Sequence, residues 1–294
     1  MTTFIAGDEP HVKEHFPGHM IDRAAFDASL VRAALACGAE CCFDARLASL
    51  GSDGVAHLAD GRMIKASVVI GADGPRSQVG RAIGRINRAL AETRQITVPL
   101  RGPCTTTEIF LSPSLPGGYA WLFPKAGQAN LGVGVAPAWR RNLKPQLDEL
   151  HRTLMAEGRV GGEIARHTGG AIPVGGMLDP QGQLGPALVL LAGDAAGLTN
   201  PVTGAGINAA VVSGRLAGEA AIAALSGKSD AGLVYAEELG DLYKASLDRA
   251  LARRVELLKV YSGGGRPSRT ELQRSWIAFP DYWTVEPMLE RATS

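Results

Sequence analysis

Leu190-Leu191-Ala192-Gly193-Asp194-Ala195-Ala196-Gly197 is the stretch of this sequence that decides the fold. It continues the apolar run 187–191, which has the composition of a buried strand, and it ends that strand on an aspartate. A carboxylate at the carboxyl end of such a strand faces the mouth of an α/β sheet, where it can accept a hydrogen bond from a ribose or ribityl hydroxyl. The sequence therefore predicts an α/β fold with a ligand contact at Asp194.

The residues after this strand predict a helix whose first turn faces the same ligand. Asn200-Pro201-Val202-Thr203-Gly204-Ala205-Gly206-Ile207-Asn208 leads into a helical pattern that runs to about Leu225. Glycines let the backbone approach a flat ring, and the unpaired amides of a helix start favour negative charge. An ordinary strand-turn-helix with an aspartate cap is the alternative. The predicted cofactor residues here are Gly193, Asp194, Pro201, Gly204, Gly206, Ile207 and Asn208.

A second strand ends in a similar way at Val68-Val69-Ile70-Gly71-Ala72-Asp73-Gly74-Pro75-Arg76-Ser77. By itself, Asp73-Gly74 is equally typical of a tight turn. Two such strand ends, far apart in the sequence, favour one shared cofactor. Asp73 and Gly74 are therefore also predicted to contact it.

These segments resemble the internal flavin-binding motifs of the p-hydroxybenzoate-hydroxylase-like flavoproteins, whose FAD-binding domain is of the glutathione-reductase type. Ile21-Asp22-Arg23-Ala24-Ala25-Phe26-Asp27-Ala28-Ser29-Leu30 is similar to the segment in which that group places an arginine near the flavin. The resemblance implies FAD as the cofactor and a contact from Arg23. A solvent-exposed helix start is the other interpretation of this arginine.

A narrower resemblance lies in Pro116-Gly117-Gly118-Tyr119-Ala120-Trp121-Leu122-Phe123-Pro124. It matches the Pro-x-x-Tyr-x-Trp-x-Phe-Pro pattern of the geranylgeranyl reductase family, and the segments 132–135 and 170–176 are similar to that family too. In a strand, Tyr119, Trp121 and Phe123 share one face. We expect them to line an apolar slot beside the flavin that suits a prenyl chain, and a core stripe of one sheet is the alternative.

The resemblance implies an FAD-dependent oxidoreductase of lipid metabolism that reduces carbon-carbon double bonds of an isoprenoid chain. Its electron donor would be NAD(P)H or a ferredoxin-like protein. The catalytic proton donor is unknown, and His167 is a weak candidate. A flavin monooxygenase, which shares the Asp73 and Asp194 motifs, and a non-catalytic flavin-fold remnant or subunit are the alternatives.

Members of that family open with a Gly-x-Gly-x-x-Gly turn and a helix that holds the FAD pyrophosphate, and this chain starts after that unit would end. We expect an α/β fold with an incomplete FAD-binding domain at residues 1–95 and 177–228. It would be interleaved with an antiparallel-sheet substrate domain at 96–176 and followed by a helical region at 229–294. Three explanations for the missing unit are possible. They are a shortened gene model, which we favour, a chain that is completed by a partner, and a degenerate protein.

Periodicity also predicts individual elements. A helix begins after Asp22 and ends before Gly38, and strands follow at 40–43 and 55–58. An Arg-rich helical stretch precedes Ile96. Further strands are expected at 108–111, 119–123 and 130–135, with a helix at about 144–155.

Composition excludes several classes of protein. The 294 residues are 46% apolar and carry a net charge of +1, which argues against a nucleic-acid partner. The cysteines, which are Cys37, Cys41, Cys42 and Cys104, fit neither a metal site nor a disulfide framework. With no signal peptide or bilayer-spanning run, we expect a cytoplasmic protein, and peripheral membrane contact is left open.

The chain also has late aromatic residues, which are Trp276, Phe279, Tyr282 and Trp283. They would close the slot, touch a membrane or pack a terminal helix.

Overall fold

A computed structural model describes residues 1–5, 8–16 and 18–284 of the chain. The strands are β1 (Thr2–Ile5), β2 (His11–Val12), β3 (Leu47–Leu50), β4 (Val55–Leu58), β5 (Met63–Lys65), β6 (Val68–Gly71), β7 (Leu90–Pro99), β8 (Glu108–Leu111), β9 (Ala120–Lys125), β10 (Gln128–Val135), β11 (Arg166–Pro173), β12 (Gln181–Leu184) and β13 (Ala187–Leu191). The α-helices are α1 (Arg23–Ala36), α2 (Gln78–Ala82), α3 (Leu143–Ala156), α4 (Ile207–Leu225), α5 (Ala231–Leu239), α6 (Ala245–Ser262), α7 (Arg269–Arg274) and α8 (Pro280–Trp283).

The largest sheet has the strand order β11-β7-β10-β9-β8-β1-β2. Its pairs are antiparallel except for β1 with β8, which is parallel. Alternate residues of β10, from Ala129 to Val135, point into one buried core, as the two-residue period of a strand requires. Helix α3 closes that core with Leu147 and Leu154.

A smaller sheet has the order β12-β13-β6, and it positions the two glycine-aspartate segments. β13 and β6 are parallel, with Leu191 opposite Gly71 at their carboxyl ends. Helices α4 and α5 pack on this sheet around a core that includes Leu190 and Leu216. The predicted mixed α/β fold is confirmed. The carboxyl ends of β6 and β13 lie at the same edge of this sheet. A third sheet, β3-β4-β5, is an antiparallel meander.

Two predicted elements are wrong, one of them only in part. Residues 40–43 form no strand, and the next strand along the chain is β3. The Arg-rich stretch before Ile96 is helical at α2, but its second half is not, because β7 begins at Leu90 and pairs with β10 on one side and β11 on the other. Pairing with distant strands overrides a local helical preference there. The predicted helix after Asp22 and the strands around 108–111, 119–123 and 130–135 are present.

The C-terminal part of the described chain is mostly helical, and its aromatic residues pack inward. Trp276, Phe279 and Tyr282 are buried, whereas Trp283 is half exposed. Trp276 and Phe279 belong to the same core cluster as Trp121 of β9. The last ten residues of the predicted helical region, 285–294, lie outside the described residues. Among those described, no helix is both long and apolar enough to cross a bilayer.

Candidate functional site

A cavity of about 450 Å³ opens where β6 and β13 end and α4 begins, with α1 along one side. Seven of the predicted cofactor residues line it, and they are Arg23, Gly74, Gly193, Asp194, Gly204, Gly206 and Ile207. Pro201 lines a neighbouring cavity instead. Asp73 and Asn208 are exposed and line neither one. The structure thus brings together residues from the three separate segments that the sequence singled out.

Asp194 presents a carboxylate to this cavity. The side chain is half-buried, and its Oδ1 accepts a hydrogen bond of 2.6 Å from the Thr199 hydroxyl. Within the described chain, its Oδ2 accepts no hydrogen bond. Because a carboxylate has about four acceptor positions, Asp194 retains capacity for a donor from a ligand.

The carboxylate of Asp73 is used differently. It accepts hydrogen bonds from the Ser77 hydroxyl at 2.5 Å, from the Gln78 amide at 2.6 Å and from the Val79 amide at 3.2 Å. These donors belong to the N-cap and first turn of α2. Asp73 therefore stabilises the start of its own helix, which is the local role that aspartate commonly has before a helix.

The first turn of α4 leaves its backbone amides open beside Asp194. The N-cap residue is Gly206, and no side chain caps the helix. A Cβ on Gly206 would lie 2.8 Å from Thr199 Oγ1 and 3.3 Å from Asp194 Oδ1, so no larger residue fits without displacing them. The amides and the helix dipole provide a positive end at the cavity wall.

Arg23 opens helix α1, whose N-cap Asp22 accepts a 3.0 Å hydrogen bond from the Ala25 amide. The guanidinium pairs with Asp27 at 3.0 Å in an exposed position. The hydrogen bond to Asp27, and more weakly the charge of Asp194, raise the pKa of Arg23. The arginine therefore stays charged at the cavity wall, and some of its N–H donors are already bonded to Asp27.

A second cavity, of about 180 Å³, carries the aromatic residues of β9. The rings of Tyr119 and Trp121 lie 5.5 Å apart and those of Trp121 and Phe123 lie 5.9 Å apart, so the three share one face as predicted. Trp121 Nε1 donates to Gln95 Oε1 at 3.1 Å. Its ring lies across β10 at Gly132, where a Cβ would be 2.0 Å from Trp121 Cζ2.

The two cavities share a wall. Ile172 and Gly204 line both of them. Beside this wall, the Tyr119 hydroxyl donates to the carbonyl of Thr203 at 2.5 Å and so ties the aromatic strand to the loop before α4. Burial raises the pKa of Tyr119 far above its ordinary value, so the phenol stays protonated.

Several residues of the two cavities were not predicted. Thr199 directly precedes the glycine-rich segment, and its position there was the signal available. Gln95 and Arg254 belong to no motif, and Ile172 lies in the segment 170–176, which did not single it out as a ligand contact. His167 lies exposed on β11 and lines neither cavity.

A larger cavity, of about 670 Å³, lies elsewhere, between the residues around His15 and His19 and the turn at Lys125. None of the predicted cofactor residues line it. The candidate site is therefore the pair of smaller adjoining cavities, because these contain the convergent polar groups.

Solved structures share this architecture. A geranylgeranyl bacteriochlorophyll reductase-like protein from Thermoplasma acidophilum superimposes with a TM-score of 0.73 at 22% identity, over 93% of this chain and 78% of the other. A probable FAD-dependent monooxygenase from Pseudomonas aeruginosa gives a TM-score of 0.59 at 23% identity, over 89% and 79%. The chain has the fold of the p-hydroxybenzoate-hydroxylase-like flavoproteins.

Sequence comparisons narrow the class to a family. Residues 97–170, from within β7 to within β11, match the geranylgeranyl reductase catalytic domain. A digeranylgeranylglycerophospholipid reductase from Methanosarcina mazei is 32% identical over 76% of this chain and 57% of its own length. One from Methanopyrus kandleri is 34% identical over 71% and 59%. The chain belongs to the geranylgeranyl reductase family. It spans less than two thirds of the length of these relatives.

Proposed function

We propose that this chain belongs to an FAD-dependent oxidoreductase that reduces carbon-carbon double bonds of a geranylgeranyl-type isoprenoid. The observation that carries the proposal is the common wall of the two cavities, formed by Ile172 and Gly204. One cavity has the polar groups that a flavin needs, and the other has the aromatic lining that a prenyl chain needs. Ligands in the two cavities would be neighbours at these two residues.

The residues of the 450 Å³ cavity, which contains Asp194, fit the riboflavin part of FAD. Asp194 has a free carboxylate oxygen for a ribityl hydroxyl, and the open amides of α4 suit the N1 and C2 carbonyl side of the ring. Because Gly206 has no side chain, none lies between the Asp194 carboxylate and these amides. We propose Arg23, Asp73, Gly74, Gly193, Asp194, Pro201, Gly204, Gly206, Ile207 and Asn208 as cofactor-binding residues. The positions of Asp73 and Asn208 outside the cavity make those two the weakest members of this set.

When bound and reduced, flavin supplies a hydride to one carbon of the double bond, and the other carbon takes a proton from a separate group. The chain's own residues would place the two reactants and exclude water. Trp121 is fixed by Gln95, and Tyr119 is fixed by the Thr203 carbonyl, so the slot is preorganised. Because the Tyr119 hydroxyl donates a hydrogen bond to that carbonyl and has a raised pKa, we assign it a positioning role.

The substrate we propose is a glycerophospholipid with geranylgeranyl chains, since both relatives described above are digeranylgeranylglycerophospholipid reductases by name. Tyr119, Trp121 and Phe123 would line its apolar chain. NAD(P)H or a ferredoxin-like protein would supply the electrons, and the protein would act in the cytoplasm, where it would meet its lipid substrate at a membrane surface. The match of residues 97–170 to the reductase catalytic domain favours this activity over monooxygenation.

The test is the visible spectrum of the purified chain during titration with FAD and, separately, with riboflavin. We expect flavin bands that shift on binding, and riboflavin should compete because the described residues hold that part of the cofactor. The flavin is then reduced anaerobically, and a geranylgeranyl glycerophospholipid is added. Reoxidation of the flavin together with a gain of two hydrogens per lipid double bond supports the proposal. A colourless chain that binds neither flavin overturns it.

A further inference from the structure

Helix α6 carries two consecutive buried arginines with different surroundings. Arg253 is 6% exposed and Arg254 is 7% exposed. Arg253 pairs with Glu256 at 3.0 Å and donates to carbonyls of the C-terminal segment, including that of Tyr282 at 3.1 Å. Arg254 has no carboxylate partner among the described residues. Its Nη1 donates to the carbonyls of Gly117 at 2.5 Å and Pro201 at 3.2 Å.

Those two carbonyls belong to the segments that form the candidate site. Gly117 lies just before Tyr119 of the aromatic segment, and Pro201 lies in the loop between Asp194 and α4. Arg254 lines the smaller cavity together with both segments. The hydrogen bond from Tyr119 to the Thr203 carbonyl is a second link between the same segments.

A buried guanidinium without a counter-ion is unfavourable for folding, because the charge loses its hydration and gains only carbonyl partners. Desolvation lowers the pKa of Arg254 to about 10, so the group remains a cation at neutral pH. Arg253, with its carboxylate partner, does not have this cost to the same degree. An unpaired buried charge at a cavity wall is a feature that functional sites retain despite its cost.

We propose that Arg254 is a positioning residue, which fixes the loop at Pro201 against the segment at Gly117 and places a permanent positive charge at the wall of the substrate cavity. This inference rests on the proposed function for its second part. The first part, the link between the two segments, holds whether or not flavin is bound. Without this link, among the described residues only the Tyr119 hydrogen bond would join the two segments, and the walls of the slot would be held less firmly.

The ligand-free test is hydrogen exchange of the whole chain and two variants. Arg254→Gln should accelerate amide exchange about tenfold in peptides covering 112–119 and 198–206, and Arg253→Gln should do so only in peptides covering 276–284. Arg253 is the matched control because it is the neighbouring residue, equally buried and also bonded to carbonyls. Unchanged exchange at 198–206 in Arg254→Gln overturns the inference.

The ligand-bound test uses FAD affinity and the midpoint potential of the bound flavin. Arg254→Gln should weaken binding about tenfold and make the potential more negative, because a nearby positive charge stabilises the anionic reduced form. Arg254→Lys should restore the potential, since it restores the charge, and should recover only part of the affinity. Arg253→Gln should change neither quantity. A wild-type chain that binds no flavin contradicts the proposed function, whereas normal binding and potential in Arg254→Gln contradict this role alone.

Discussion

The carboxyl ends of β6 and β13 lie side by side, and each leads into an aspartate close to glycine, yet the two aspartates have different partners. Asp73 accepts three hydrogen bonds from the turn and helix that follow it. Among the described residues, Asp194 accepts one hydrogen bond, from Thr199, and it lines a cavity. A shared sequence pattern thus does not determine whether a carboxylate remains available to a ligand.

The difference follows from the distance along the chain to the next helix. Helix α2 begins at Gln78, five residues after Asp73, so its first amides reach back to that carboxylate. Helix α4 begins only at Ile207, after a loop that carries Thr199 and the glycines. Its amides are therefore open to a ligand, and the carboxylate of Asp194 is left beside them.

The largest effect that would test this comparison is on flavin affinity. Asp194→Ala should weaken flavin binding about tenfold to a hundredfold, the loss expected for a hydrogen bond to a charged group. Asp73→Ala should weaken flavin binding less than Asp194→Ala does, and it should lower the free energy of unfolding by about 1 kcal/mol, the typical value of a helix cap. Spectral titration and chemical denaturation measure the two quantities.

Asp194→Asn provides the control, because it keeps an acceptor oxygen and removes the charge. It should bind flavin more tightly than Asp194→Ala. Equal flavin retention by Asp194→Ala and Asp73→Ala would show that the two strand ends are equivalent, contrary to their geometry.

A smaller effect should come from crowding the end of β13. Gly206→Ala introduces a methyl group against Thr199 and Asp194, and we expect flavin affinity to fall about fivefold to tenfold, or about 1 kcal/mol. Gly218→Ala, in the same helix, meets no atom within 4 Å and should raise helix stability without a change in affinity. If both variants bind flavin alike, the close approach at Gly206 has no role in binding.

The smallest of the three effects concerns the hydrogen bond that Thr199 donates to Asp194. Thr199→Val removes the hydroxyl and nearly preserves the shape of the side chain. It should weaken flavin binding about threefold to tenfold, since a neutral donor contributes about 1 kcal/mol. Thr199→Ser keeps the hydroxyl and should bind like the wild type. A Thr199→Val variant with undiminished affinity would mean that Asp194 holds its orientation without this bond.

The strands and helices with strong periodicity could be predicted from the sequence. The run 187–191 is continuously apolar and the helix from Ile207 to Leu225 has a helical period, and the structure contains both elements. The first half of strand β7 could not be predicted, because Glu92, Arg94 and Gln95 interrupt the apolar alternation there and its pairing with β10 and β11 is long-range. Local patterns do not contain that information.

For the candidate site, motif residues could be predicted and supporting residues could not. Asp194 and Tyr119 lie in motifs with recognisable spacing. Arg254 is one of several arginines on a helix, and only the tertiary structure reveals that it is buried against Gly117 and Pro201. Ile172 is an ordinary strand residue whose place in both cavities depends on the packing of β11 against the loop before α4.

The order of the strands has a consequence for the folding of the protein. β1 pairs with β8, from the middle of the chain, and β6 pairs with β13, which is made only after the large sheet. Such pairings give a high contact order, so the entropy of closing long loops is lost before most contacts form, and folding is slow. Neither cavity can form before the other, because each is lined by residues from both halves of the chain. A single cooperative transition should therefore create both.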